Sequence, residues 1–110
     1  MYNFGVMNIK DLTDKMNQFV KDKGWYDSGS PRPQSPKNLA ASLIIEAAEV
    51  LEHFQWQEKP PDPAELASEL ADVTLYLLQL ASTMDIDLEQ AVIEKLELNY
   101  ERSWDQENKG

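Results

Sequence analysis

A chain of 110 residues with 42% hydrophobic side chains can fill one modest core, so residues 1–110 read as a single domain. Its 20 acidic and 10 basic residues leave a formal charge of −10, which repels nucleic-acid backbones and excludes polymeric DNA or RNA as an expected partner. The absence of cysteine excludes disulfides, thiolate metal sites and cysteine nucleophiles together.

In chain order, Asn8 with Asp11 three residues later predicts the start of a first helix, carrying Ile9, Leu12, Met16, Phe19 and Val20 on one side and ending at Gly24. From Gly24 to Gln34, glycine, proline and serine exclude a helix, and strand alternation is missing, so a loop is predicted. Ser35 and Pro36 open a second helix that the apolar spacing extends to about Trp56. Its other faces are apolar too, which predicts burial on most sides. Glu58 to Pro61 reads as a turn.

Asp62, Pro63 and Glu65 begin a third helix with Leu66, Leu70, Val73, Leu77 and Leu80 in register. The longest apolar stretch, Leu70 to Ala81, is too short to span a bilayer and contains Asp72 and Gln79. The N-terminus lacks the basic and apolar regions of a signal peptide, and a soluble cytoplasmic protein with no membrane partner is expected. Asp87 and Gln90 cap a fourth helix running to about Arg102, and the tail from Asp105 reads as frayed. The predicted fold class is all-α, an antiparallel bundle of about four helices. Helices two and three are more apolar than their flanking helices can cover, so the core is expected to be completed by a homodimer or higher homo-oligomer.

Glu46 and Glu49 are three residues apart, as are Glu69 and Asp72, so each pair shares a helix face. Such pairs are common on solvated surfaces, but these interrupt the most apolar faces of the two most apolar helices. A desolvated carboxylate must be neutralised, paired or metal-bound, and basic residues are scarce nearby. Oxygen-only donors suit Mg²⁺, with Mn²⁺ as a substitute, better than zinc. A single histidine excludes the di-iron pattern of two Glu-x-x-His pairs.

Five ordered phrases, Pro36-Lys37-Asn38-Leu39, Glu46-Ala47-Ala48-Glu49, Phe54-Gln55-Trp56, Glu69-Leu70-Ala71-Asp72-Val73 and Lys95-Leu96-Glu97-Leu98-Asn99, cover most of the chain. Together they resemble the MazG-type all-α nucleoside triphosphate pyrophosphohydrolases, in particular their dCTP pyrophosphatase-like branch. The resemblance implies hydrolysis of a nucleoside triphosphate at the α–β phosphoanhydride to monophosphate and pyrophosphate, as in the removal of dCTP-like or modified nucleotides. It implies Mg²⁺ ligation by Glu46, Glu49, Glu69 and Asp72, base and sugar contacts from Trp25, Trp56, Tyr76 and Asn99, and phosphate contacts from Lys37, Lys95 or Arg102. It also implies tetramers built from two dimers. One of the four carboxylates is expected to take a proton from water; Glu49 is a candidate, and the sequence does not choose among the four. Ile45 stands where many members carry a further glutamate, and the loop from Gly24 to Gln34 is where members vary. The alternative reading is a non-catalytic acidic helical module that binds a metal ion or a protein.

Overall fold

The computed structural model describes residues 5–56 and 61–102. They form four helices, α1 (Ile9–Asp22), α2 (Pro36–Glu52), α3 (Pro63–Thr83) and α4 (Leu88–Glu101), and no strand occurs among the described residues. Each helix begins where a side chain can satisfy its first free amides. Asn8 and Asp11 exchange reciprocal hydrogen bonds at the start of α1, while Ser35, Asp62 and Asp87 accept from the amides of Asn38, Ala64 and Gln90.

Two helices close with a left-handed residue that redirects the chain. After α1, the Trp25 amide donates to Val20 O and the Gly24 amide to Lys21 O, with Gly24 at φ +75°. This paired closure turns Trp25 back onto the last turn of α1, where it packs against the cluster of Met16, Val20 and Leu78. After α3, the Ile86 and Asp85 amides donate to Ala81 O and Ser82 O in the same pattern, with Asp85 at φ +57° in the glycine position.

The helix α2 is shorter than its apolar spacing predicted. It ends at Glu52, where the His53 and Phe54 amides donate to Val50 O and Leu51 O three residues back, and Trp56 sits at φ +61°. Periodicity reports which side chains are apolar; it does not register where the backbone tightens and leaves the helix. The predicted turn from Glu58 to Pro61 and the tail from Asp105 lie outside the described residues, except for Pro61 itself.

The helices α2 and α3 pack along one another, α1 packs on α3, and α4 rests chiefly on α1, where the Ile9 amide donates to Glu89 Oε1. The expected burial of α2 on most sides is not met within one chain. Only Leu39 of that helix is buried, while Ile44 and Ile45 remain 67% and 60% exposed. The reason is geometric: α3 covers one face of α2, and no other helix among the described residues takes the opposite face. Among the described residues the buried apolar ones are Met16, Val20, Leu39, Leu78 and Ala81, and none lies on α4. The radius of gyration is 17.4 Å, against about 13 Å for a compact chain of this length. No helix is long and apolar enough to cross a membrane among the described residues.

Candidate active site

Polar side chains at helical spacing run along the facing surfaces of α2 and α3. On α2 the stripe is Asn38, Ser42, Glu46, Glu49 and His53; on α3 it is Glu69, Asp72, Tyr76 and Gln79. Because the two helices run antiparallel, His53 meets the start of α3, with Nε2 4.0 Å from Glu69 Oε1, and the start of α2 lies beside Gln79. The two stripes form one continuous polar seam between otherwise apolar helices.

At one end of the seam, carboxylate oxygens of Glu46, Glu49 and Glu69 all lie within 4.8 Å of one another. All three side chains are half-buried. Glu46 Oε2 and Glu69 Oε2 are buried and have no hydrogen-bond partner. Loss of hydration first, then the neighbouring Glu49, the charge of Asp72 and the nearness of Glu69, push the Glu46 carboxyl up from 4.5 to about 7. Carboxylates gathered this closely, with oxygens left unsatisfied, need a counter-charge, and the described residues supply none beyond His53. The donor set is oxygen only, and that is the set a hard divalent cation takes. Glu46, Glu49 and Glu69 thus fit a metal ion of the Mg²⁺ class. Asp72, one turn further along α3, is near enough to act on Glu46 electrostatically.

Asp72 also lines a cavity of about 770 Å³ that opens from the other end of the seam. Its walls come from α1, the loop after it, the first turns of α2 and the middle of α3. Trp25 stands in the wall, edge-on to Phe19 at 5.7 Å, and the Arg32 guanidinium lies 5.4 Å over the Trp25 ring. Tyr76 lines the same space. An aromatic, mostly apolar recess adjoining a cluster of carboxylates can take a flat heterocycle at one end and a metal-bound polyphosphate at the other.

Of the residues singled out from the sequence, the structure brings together Glu46, Glu49, Glu69 and Asp72 at the seam, and Trp25 and Tyr76 in the adjoining cavity. Trp56 is fully exposed just beyond α2, and Lys37 is exposed on its first turn, outside the cavity wall. Lys95, Asn99 and Arg102 lie along α4 and its C-terminal cap, away from that wall. Asn99 Oδ1 is buried without a hydrogen-bond partner. The structure adds residues that sequence reasoning passed over. Arg32, Gln34, Asn38, Ser42 and Gln79 all line the cavity. For Gln79 a signal was present: it continues the spacing Glu69, Asp72, Tyr76 on the otherwise apolar α3. For Arg32 and Gln34 no periodicity exists, since they sit on the loop.

The profile of the MazG-like family matches residues 41–109. The chain is similar to the dCTP pyrophosphatase 1 of Mus musculus, 33% identical over 103 residues, and to that of Homo sapiens, 31% identical over the same length. In both cases the match covers 86% of this chain and 58% of the relative, so the chain spans little more than half the length of these curated relatives. Among solved structures, a pyrophosphatase from Archaeoglobus fulgidus is similar with a TM-score of 0.66 at 32% identity, covering 90% of this chain and 94% of that one. A Bacillus subtilis chain with a TM-score of 0.65 at 24% identity, covering 90% and 99%, shares the fold.

Proposed function

The chain belongs to the MazG-like family, and we propose that it hydrolyses a nucleoside triphosphate, of the dCTP type, to the monophosphate and pyrophosphate with Mg²⁺. The observation that carries this reading is the seam itself: three carboxylates within 4.8 Å, two with unpartnered buried oxygens, joined through Asp72 to a cavity walled by Trp25 and Tyr76.

In this reading Glu46, Glu49, Glu69 and Asp72 hold the metal, with Mn²⁺ as a substitute. When bound, the ion would neutralise phosphoryl oxygens and lower the pKa of a coordinated water. The protein's own contributions are positional. The Trp25 and Tyr76 side chains take the base, with aromatic stacking worth about 1–3 kcal/mol per base. Asp72, at the junction of cavity and cluster, sets the distance from base to phosphates. The Glu49 carboxylate accepts the proton of the attacking water, and His53 beside Glu69 holds that side chain against the seam.

We further propose that the active form is a homodimer or homotetramer. Val92, Ile93, Leu96 and Leu98 on α4 are exposed, as are Ile44, Ile45 and Leu51 on α2. Among the described residues only five apolar side chains are buried, a small core for a chain of this length. A second copy covering these faces would supply the missing layer. It would also give Lys95, Asn99 and Arg102 on α4, and Lys37 and Trp56 at either end of α2, a site to reach, the lysines and arginine toward phosphate and the others toward the base and sugar.

The test is a panel of ribo- and deoxynucleoside triphosphates incubated with the purified protein and Mg²⁺. Monophosphate and pyrophosphate are the expected products. Diphosphate and orthophosphate would overturn the cleavage position, and no turnover of any triphosphate would leave the non-catalytic metal-binding or protein-interaction module.

A further inference from the structure

Gln79 is a polar side chain only 4% exposed, on the apolar middle of α3, and it lines the wall of the cavity. A buried amide must pair its donors and acceptors, and the partners here fix which way round it lies. The chain of constraint starts at a backbone carbonyl, which can only accept. Arg32 O receives a hydrogen bond from Gln34 Nε2 at 2.6 Å, so Gln34 turns its oxygen the other way. That oxygen accepts from Gln79 Nε2 at 2.7 Å. Burial pushes the Tyr26 hydroxyl up and Gln79 acts against that shift; the hydroxyl gives its one proton to Asn17 Oδ1 at 2.6 Å, so toward Gln79 it can only accept. The amide nitrogen of Gln79 is thereby held by Gln34, and the Tyr26 oxygen offers it a second acceptor. Its carbonyl oxygen is what the side chain can offer the cavity.

We propose that Gln79 is the specificity-determining residue of this pocket: pinned by Gln34, it presents a hydrogen-bond acceptor that selects a base carrying an exocyclic amino group, cytosine over uracil or thymine. A carbonyl at the same position of the base would face a carbonyl, and the amide cannot turn over to donate without breaking its bond to Gln34. The selection depends on that fixed orientation, so Gln34 is a positioning residue that acts through Gln79. This inference rests on the reading of the cavity as a nucleotide site.

The test is calorimetric binding of dCMP and dUMP in the presence of Mg²⁺, which needs no turnover and compares ligands that differ at the exocyclic group and the ring nitrogen beside it. The native protein should prefer dCMP by about tenfold or more, the scale of one buried hydrogen bond against an unpaired acceptor. Gln79→Met, close in shape and without the acceptor, should bring the two affinities within about twofold. Gln34→Met, which keeps the acceptor but frees the amide to rotate, should give an intermediate ratio with an unchanged helical spectrum, and it decides the matter if Gln79→Met does not fold. A native protein that fails to distinguish the two nucleotides, or variants that retain the full preference, would overturn the proposal. Selective dCMP binding without hydrolysis of any triphosphate would uphold Gln79 and remove the enzymatic reading. Hydrolysis indifferent to the base would do the reverse.

Discussion

The seam between α2 and α3 and the surface of α4 carry similar chemistry, charged and amide side chains set among apolar ones, yet the fold treats them in opposite ways. At the seam, two helices of the same chain face each other, and carboxylates from both meet within 4.8 Å. On α4 no residue is buried, and Lys95 and Asn99, with Arg102 at the C-terminal cap, accompany exposed Val92, Ile93 and Leu96. One chain can thus complete its acidic cluster alone while leaving Lys95 and Asn99 on a helix whose exposed apolar residues have no cover.

The contrast is put under most strain at the seam. Glu49→Gln keeps the shape of the side chain but removes a charge from the cluster, and turnover should fall by about a thousandfold or more with no loss of helical content. Steady-state kinetics beside circular dichroism measure both, and a fully active variant would remove Glu49 from the site. Changes on α4 should rank second. Ile93→Glu with Leu96→Glu puts two charges on the exposed apolar face, and light scattering should then show a monomer whose activity is lower by about tenfold or more although the seam is untouched. An assembly of unchanged mass would mean that this face is not the interface. If α4 serves the partner's site, mixing Glu49→Gln with Asn99→Ala protein should recover activity that neither variant has alone.

A more modest response is expected to pH. The folded Glu46 titrates at about 7 instead of 4.5, so between these values the folded chain keeps a proton that the unfolded chain has released. Stability therefore falls as pH rises from about 4.5, and the penalty is complete above 7. The melting temperature of metal-free protein should drop between about pH 5 and 8, the slope should be shallower in Glu46→Gln, and Mg²⁺ should flatten it in the native chain. The loop should respond least: Arg32→Ala removes the guanidinium over Trp25, a contact worth about 0.5–1 kcal/mol at an exposed site, and should raise KM roughly two- to fivefold with kcat nearly unchanged.

Much of the architecture is legible in the sequence. The caps at Asn8, Ser35, Asp62 and Asp87 are readable because an N-cap is a local event: one side chain satisfies an amide two or three residues ahead. The four carboxylates stand out because their spacing agrees with the helical repeat and their neighbours are apolar. The end of α2 is not readable, since a tightened last turn and a positive φ at Trp56 leave no trace in hydrophobic spacing.

Interactions spanning three or four residues were enough to specify four helices, their starts, and two acidic pairs that each had to lie on one helix face. Tertiary packing alone settled that these pairs face each other, that Trp25 packs against a cluster containing Leu78 of α3, and that Gln34 of the loop pins Gln79 of α3. Such contacts join residues far apart in the chain, 45 positions in the case of Gln34 and Gln79, and their geometry depends on how whole helices pack, which no local pattern of side chains encodes.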